Sequence, residues 1–190
     1  MTPTSRSGRV LVVDDERAVA DLYANWLDAD HDVQVAYDGS QALELADDDV
    51  DVLFLDRQMP GRSGDEVLEV LDERGLDCRI VMVTAVDPGF DIVEMPFDDY
   101  LIKPVTREAL TESVEEMLTR DTYDDQMQEY FALVSKKATL DAQKSRAELA
   151  ESDAYAEITT RVEEFRNRVD ETAARVTSFE GLFYELPGGN

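Results

Sequence analysis

The residues best suited to chemistry stand where short apolar runs of the sequence end. Asp14 and Asp15 follow VLVV, Asp56 follows VLFL, Thr84 ends VMVT, and Lys103 follows DYLI. Three carboxylates gathered in one cleft repel each other, so such a cluster takes up a proton or binds a cation. Because the 190 residues include one His and one Cys, no nitrogen and sulfur ligand set exists, and an oxygen-bound ion, Mg²⁺, is expected.

A metal, a carboxylate, a hydroxyl and an ammonium around one point form a receptor for a phosphoryl group. In that arrangement the Asp56 carboxylate is a nucleophile toward phosphorus, Lys103 neutralises charge on the phosphoryl oxygens, and Thr84 hydrogen-bonds one of them. By themselves, Asp14 and Asp15 would be interpreted as an acidic pair at a helix N-terminus. The presence of Asp56, Thr84 and Lys103, the only lysine in the first 120 residues, favours the site.

Five nearly continuous apolar runs predict the strands that must position these residues, since parallel strands covered by helices are apolar on both faces. The strands are predicted at residues 9–13, 33–37, 52–55, 80–83 and 99–102. Helical spacing of apolar residues predicts helices at 16–28, 40–47, 65–73 and 106–118. Between 87 and 98, Pro88, Gly89 and Pro96 allow only a short 3₁₀-like turn. The pattern predicts a doubly wound α/β domain with its site outside the carboxyl ends of the strands.

The sequence changes character after residue 120. Residues 121–180 contain no Gly or Pro, and we predict two helices with a break near 150–153, where Ser152 and Asp153 are candidate caps. The second helix carries a heptad seam at Ile158, Val162, Phe165, Val169, Thr172, Val176 and Phe179. Beside the seam run Arg161, Arg168 and Arg175, interpreted as groups that form ion pairs. A parallel homodimer would bring like charges together, so an antiparallel hairpin with 123–148 is favoured.

The motifs VLVVDDE, LFLDRQMPGRSG, VMVTA and DYLIKP, taken together, resemble the receiver domain of two-component response regulators. The resemblance covers residues 9 to about 118. It implies a flavodoxin-like five-stranded parallel sheet in the order 2-1-3-4-5. It also implies a cytoplasmic response regulator whose partner, a sensor histidine kinase, phosphorylates the domain. The protein would then be a phosphoacceptor that assists its own Mg²⁺-dependent phosphorylation and dephosphorylation, not an enzyme acting on another substrate.

The resemblance also assigns roles to particular residues. Asp56 matches the phosphoacceptor, Asp15 and Asp56 match direct Mg²⁺ ligands, Asp14 would act through water, and Gln58 would lend its backbone carbonyl. A phosphohydrolase with an Asp56 nucleophile is a less favoured alternative, because it predicts an acid at position 58.

Further matches concern the switch that responds to the phosphoryl group. Thr84 and Lys103 match the family's hydroxyl and lysine, Tyr100 matches its switch aromatic, and the bond from Lys103 to Pro104 matches its cis peptide. Simple packing of Tyr100 is an equal alternative. From Thr84 to Lys103 the chain is shorter than is usual in the family, at the place of the fourth helix. The dimer mode that uses this helix is therefore not predicted here.

Residues 135–158, SKKATLDAQKSRAELAESDAYAEI, resemble the HalX domain that follows receivers in haloarchaea and is described as a transcriptional regulator. We therefore divide the chain into a flexible N-terminus at 1–8, a receiver domain at 9–120 and a helical output domain at 121–190. The output is expected to act on DNA or the transcription machinery; the alternative is a protein-interaction module without DNA binding. A homodimer through the receiver or the hairpin is a further option.

The composition bears on the setting of the protein. Its 44 acidic and 18 basic residues give a formal charge of −26, with only four lysines, a balance similar to that of proteins from salt-accumulating archaea. No apolar run approaches the roughly 18 residues of a membrane span, and the N-terminal MTPTSRSG lacks an apolar signal region, so a cytoplasmic protein without membrane contact is expected. His31 is expected to be solvated, and Cys78 to be a small neighbour of the core.

Overall fold

The computed structural model describes residues 7–120 and 125–167. The strands are β1 (Arg9–Val13), β2 (Asp32–Ala36), β3 (Val52–Leu55), β4 (Arg79–Thr84) and β5 (Asp99–Ile102). The helices are α1 (Arg17–Leu27), α2 (Gly39–Leu45), α3 (Gly64–Arg74), α4 (Arg107–Arg120), α5 (Asp125–Gln143), α6 (Arg146–Ala150) and α7 (153–167), with a 3₁₀ helix at Phe90–Val93. Every strand boundary lies within one residue of its prediction.

The strands form one parallel sheet in the order β2-β1-β3-β4-β5, which confirms the predicted class and order. Strands β1, β3 and β4 are almost wholly buried because helices cover both faces of the sheet. Local sequence features set the ends of α3. Ser63 and Glu66 form a capping box at the start of α3, and Gly75 ends this helix with a φ of 66°.

The two faces of the sheet have separate hydrophobic cores. Helices α1 and α4 cover one face, and α2, α3 and the C-terminal helices cover the other. Between β4 and β5 the described chain has only the predicted 3₁₀ helix, and α5 packs against this helix and β5. Leu133 and Leu140 of α5 share a core with Ile92 and Tyr100. Helix α5 thus packs on the same face of the sheet as α2 and α3, over β5 and the 3₁₀ helix.

The prediction of two C-terminal helices is corrected by a second break, at Lys144 and Ser145. Ser145 Oγ accepts a hydrogen bond from Glu148 N at 3.3 Å, and Ser145 N donates to Glu148 Oε2 at 2.9 Å. This capping box starts the short α6 and ends α5. The break at 151–152 is confirmed, with Ser152 Oγ accepting from Tyr155 N at 3.1 Å.

Helices α5 and α7 form the predicted antiparallel hairpin. Arg161 Nη2 donates to Glu129 Oε1 at 2.9 Å near one end, and Lys137 Nζ donates to Tyr155 Oη at 2.9 Å near the other. Ile158 and Phe165 are buried seam residues, and Val162 packs against the same core. The remaining seam positions, Arg168 and Arg175 lie outside the described residues.

Two isolated side chains were also the subject of predictions. The prediction of a solvated His31 is wrong, because this ring is 6% exposed and its Nδ1 accepts a hydrogen bond from Gly8 N at 3.3 Å. Cys78 is buried as predicted, and burial raises the pKa of its thiol to about 11. Within 7–120 and 125–167, no helix has the length and apolar content needed to cross a bilayer.

Candidate functional site

The carboxyl ends of four parallel strands bring the predicted site residues to one edge of the sheet. Pairing continues past the strands, since Asp56 N donates to Val13 O at 2.9 Å and Lys103 N donates to Thr84 O at 2.9 Å. Asp14 N likewise donates to Ala36 O at 3.2 Å. Each backbone bond fixes the start of a loop, so the side chains converge without a long flexible segment.

Three carboxylates and one ammonium meet there. Asp14, Asp15 and Asp56 each offer a carboxylate oxygen within 4.8 Å of the others. Lys103 Nζ donates to Asp14 Oδ2 at 2.6 Å and to Asp56 Oδ2 at 2.8 Å. Asp14 and Asp56 are buried, whereas Asp15 is partly exposed at the rim. The structure therefore brings together the four charged residues that the sequence singled out.

The pKa values of this cluster reflect burial and mutual attraction. Burial raises the pKa of Asp14, and the hydrogen bond and charge of Lys103 offset only part of that rise. Burial also opposes the charged form of Lys103, but hydrogen bonds with Asp14 and Asp56 outweigh it and raise the pKa of the ammonium. Lys103 thus stays charged, and one ammonium against three carboxylates leaves excess negative charge.

The donor set fits a hard divalent cation. Only oxygen atoms are available among the three carboxylates, which suits Mg²⁺ better than a soft transition metal. Backbone groups orient the carboxylates: Glu16 N donates to Asp14 Oδ1 at 2.9 Å, and Gln58 N donates to Asp56 Oδ1 at 3.3 Å. Gln58 is exposed beside Asp56. The role of its carbonyl as a ligand stays a prediction.

Thr84 and Tyr100 are joined through the loop after β4. Thr84 is fully buried, and its Oγ1 accepts a hydrogen bond from Val86 N at 3.3 Å. The Tyr100 hydroxyl donates to Val86 O at 2.9 Å, and its ring is buried. The backbone of Val86 thus makes a hydrogen bond with each of the two side chains.

Gly64 supports the loop that carries Asp56. A Cβ at this position would lie 2.1 Å from Asp56 O, and Gly64 N donates to Arg57 O at 2.9 Å. Backbone meets backbone here, so only glycine allows α3 to begin this close to Asp56. The GRSG segment is thus explained by the packing of the site.

Asp15 lines an open cleft of about 780 Å³ between the loops after β3 and β4. Gln58, Asp87 and Asp91 line the same cleft, as does Arg57. Sequence reasoning missed Arg57, whose side chain points to Asp65 and Asp91 rather than to the carboxylate cluster. The only sequence feature that could have pointed to Arg57 is its position directly after Asp56. The cleft reaches the carboxylate cluster at Asp15, its most exposed member.

Comparison with known proteins agrees with the fold. The family model described as the response regulator receiver domain matches residues 10–115, and the HalX domain model matches residues 119–183. The first match covers more than half of the chain. The chain therefore belongs to the response regulator receiver family, and a HalX domain follows the receiver.

Individual relatives support this assignment. A Haloferax volcanii protein named "Putative transcriptional regulator" is 50% identical over 158 residues, 83% of this chain and 27% of its own length. The transcriptional regulatory protein CpxR of Klebsiella pneumoniae is 37% identical over 124 residues, 63% of this chain and 53% of its own. The chain thus spans about half or less of the length of these curated relatives.

A solved structure shares the fold of the receiver. The response regulator TrrA of Thermotoga maritima, solved in complex with Mg²⁺ and BeF, is 28% identical and superposes with a TM-score of 0.51. The similarity covers 58% of this chain and 98% of that chain.

Proposed function

We propose that this response regulator accepts a phosphoryl group on Asp56 from a sensor histidine kinase and relays the change to its C-terminal helices. The contact of Lys103 with both Asp14 and Asp56 carries this proposal, because it places a cation next to the candidate nucleophile. The receiver match supplies the context. A histidine kinase is the donor that this family context favours, and the open cleft beside Asp15 gives it access.

In the proposed transfer, a carboxylate oxygen of Asp56 attacks the phosphorus of a phosphohistidine. A P–O bond forms, the P–N bond breaks, and the imidazole leaves with the electron pair and takes up a proton. Lys103 pairs with a phosphoryl oxygen, and the Thr84 hydroxyl donates to another. Attack by water on the acyl phosphate in the same pocket would restore Asp56, so the protein assists its own phosphorylation and dephosphorylation.

Asp15 and Asp56 are proposed to hold Mg²⁺ directly, with Asp14 acting through water and the Gln58 carbonyl as a further ligand. When bound, the ion neutralises charge on the phosphoryl oxygens. The oxygen-only donor set supports this choice, as does the Mg²⁺ in the structure of TrrA. Thr84 and Tyr100 are proposed as the switch pair, supported by their common link to Val86.

The output is proposed to be regulation of transcription in the cytoplasm, by contact with DNA or with the transcription machinery. The HalX match and the names of the two relatives support this proposal. The proposed boundary between receiver and output domain stays between residues 120 and 121, although α5, the first helix after it, packs against β5. A homodimer through the receiver or the helical hairpin is a further part of the proposal.

A protein-interaction role without DNA binding is the second candidate, favoured by the 15 acidic and 8 basic residues of 121–190. A mobility-shift assay at molar salt, with and without phosphodonor, separates the two outputs. A DNA complex that responds to phosphodonor supports transcription control by direct contact, whereas its absence together with capture of a protein partner supports the alternative.

Phosphorylation itself is tested by incubating the chain with Mg²⁺ and acetyl phosphate and measuring its intact mass. We expect the mass to rise by one phosphoryl group. The adduct should disappear without Mg²⁺ and in Asp56→Asn, whereas Asp51→Asn, an acidic residue before β3, is the matched control and should keep it. An adduct that persists in Asp56→Asn would contradict the assignment.

A further inference from the structure

Arg57, the residue after Asp56, connects the loops on both sides of the cleft. Its Nε donates to Asp65 Oδ1 at 3.0 Å, and its Nη2 donates to Asp65 Oδ2 at 3.1 Å. The same Nη2 donates to Asp91 in the 3₁₀ helix. Burial raises the pKa of Tyr100, and hydrogen bonding with Arg57 opposes part of this rise. One guanidinium thus joins α3 and the 3₁₀ helix.

The 3₁₀ helix held by Arg57 is also the platform on which α5 packs. Ile92 and Val93 are buried in the same core as Leu133 and Leu140 of α5. Just after α5, the Lys144 ammonium lies 6.0 Å from the centre of the Phe90 ring. A shift of Asp91 would therefore be transmitted directly to α5.

The two ion pairs of Arg57 differ in strength. The pair with Asp65 is bidentate, and this geometry is the stronger one. The pair with Asp91 uses one nitrogen, Nη2, which also bonds Asp65, and both acidic side chains are exposed, at 52% for Asp91 and 41% for Asp65. Arg57 would therefore give up its contact with Asp91 more readily than its contact with Asp65 in order to bind a new anion.

A phosphoryl group on Asp56 would supply that anion. It carries about −1.5 to −2 charges and oxygens that match the planar guanidinium. Arg57, Asp91 and Asp15 line one open cleft, so the guanidinium can turn toward the carboxylate cluster without crossing the core.

We propose that Arg57 is a positioning residue that holds the 3₁₀ helix under α5 through Asp91 while Asp56 is unmodified. Phosphorylation of Asp56 draws the guanidinium away from Asp91 and loosens α5. This inference rests on the proposed phosphorylation of Asp56, but it concerns the route to the output helix rather than the acceptance of phosphate.

Amide hydrogen exchange of the full chain in Mg²⁺, with and without acetyl phosphate, tests the route. We expect phosphorylation to speed exchange of residues 125–143 several-fold in the unmutated protein. Arg57→Gln and Asp91→Asn should show the faster exchange already without phosphodonor and respond little to it. Arg62→Gln, an exposed arginine of the same loop, is the control and should behave like the unmutated protein.

The intact mass measured in parallel separates this inference from the proposed function. The inference is overturned if the protein is phosphorylated but amide exchange in α5 does not change. It is also overturned if phosphorylation speeds α5 exchange in the variants as much as in the unmutated protein. Either result leaves the proposed function intact. No adduct on the unmutated protein would overturn both. Loss of the adduct in Arg57→Gln would assign Arg57 to the phosphoryl chemistry instead. Should Arg57→Gln fail to fold, Asp91→Asn alone decides, because it leaves the pair with Asp65 intact.

Discussion

The Nζ atom of Lys103 lies 2.8 Å from Oδ2 of Asp56, although 47 residues separate them along the chain. The pair is buried, with side chains 13% and 9% exposed. Asp14, 2% exposed, completes the contact on the other side of the ammonium. A single cation therefore compensates two buried carboxylates, and its removal is expected to lower the stability of the fold.

Lys103→Met keeps an unbranched side chain and removes the ammonium. Without it Asp14 and Asp56 repel each other, so the free energy of unfolding in Mg²⁺-free buffer should fall by about 3 kcal/mol. Added Mg²⁺ should restore part of the loss, because it binds the more negative cluster more tightly. Chemical denaturation followed by Trp26 fluorescence measures both effects. The control is Lys137→Met, which affects only the hairpin and should gain no more unfolding free energy from Mg²⁺ than the unmutated protein. If both variants gain equally from Mg²⁺, the prediction is contradicted.

Leu140→Ala tests whether α5 belongs to the core of the sheet. Leu140 is fully buried, so its truncation should cost about 2–5 kcal/mol of unfolding free energy. Val134→Ala is the matched control on the same helix, because Val134 is 37% exposed and should cost well under half as much. Trp26 lies in α1 on the opposite face of the sheet, and its fluorescence should show the same destabilised unfolding transition as the circular dichroism signal. Separate transitions for the two probes would show that α5 unfolds independently.

Lys136 predicts a specific dependence of stability on pH. Its Nζ donates to Met95 O at 2.5 Å and lies 4.8 Å from the centre of the Phe97 ring, but burial lowers its pKa from 10.5 to about 8. Between pH 8 and pH 10.5 the Lys136 side chain binds more protons in the unfolded chain than in the folded protein, so the free energy of unfolding rises with pH. The penalty, roughly 3 kcal/mol, is fully present below pH 8 and disappears above pH 10.5.

Lys136→Met should therefore be more stable than the unmutated protein at pH 7 by about 2 kcal/mol, after the lost hydrogen bond to Met95 O is counted. This advantage should vanish near pH 10.5. Urea unfolding at a series of pH values measures the difference between the two proteins. The same advantage at every pH would show that packing, rather than the charge of Lys136, is responsible.

Salt should stabilise this protein. At a formal charge of −26, self-repulsion opposes the compact state, and the Debye length falls from about 10 Å at 0.1 M to about 3 Å at 1 M. We expect the thermal midpoint to rise steeply up to about 1 M KCl and little beyond. Sucrose, which is uncharged, serves as the control for stabilisation by exclusion. A flat or falling midpoint in KCl contradicts the expectation.

The sheet and the carboxylate cluster were predictable because each depends on local sequence. Strands buried on both faces are continuous apolar runs, and parallel strands place whatever follows them at one edge. Asp14, Asp56, Thr84 and Lys103 were located in this way. The short 3₁₀ helix followed equally from Pro88 and Pro96, which leave no room for a full helix.

What the sequence left out depends on contacts between distant residues. Asp65 and Asp91 are two among 44 acidic residues, so no pattern marked them as partners of Arg57. His31 stands among acidic residues, and its bond with Gly8 arises only when β1 and β2 are paired. The capping box at Ser145 has the S-x-x-E pattern, but the absence of Gly and Pro from 121 to 180 led to the prediction of an unbroken helix up to the break near 150–153.

Because Leu133 and Leu140 share a core with Tyr100, cutting the chain after α4 would divide one hydrophobic core between two fragments. A chimeric regulator spliced at that point would pair β5 with a foreign helix surface. Exchange of output modules with relatives should therefore carry α5 along with the sheet and place the junction after this helix.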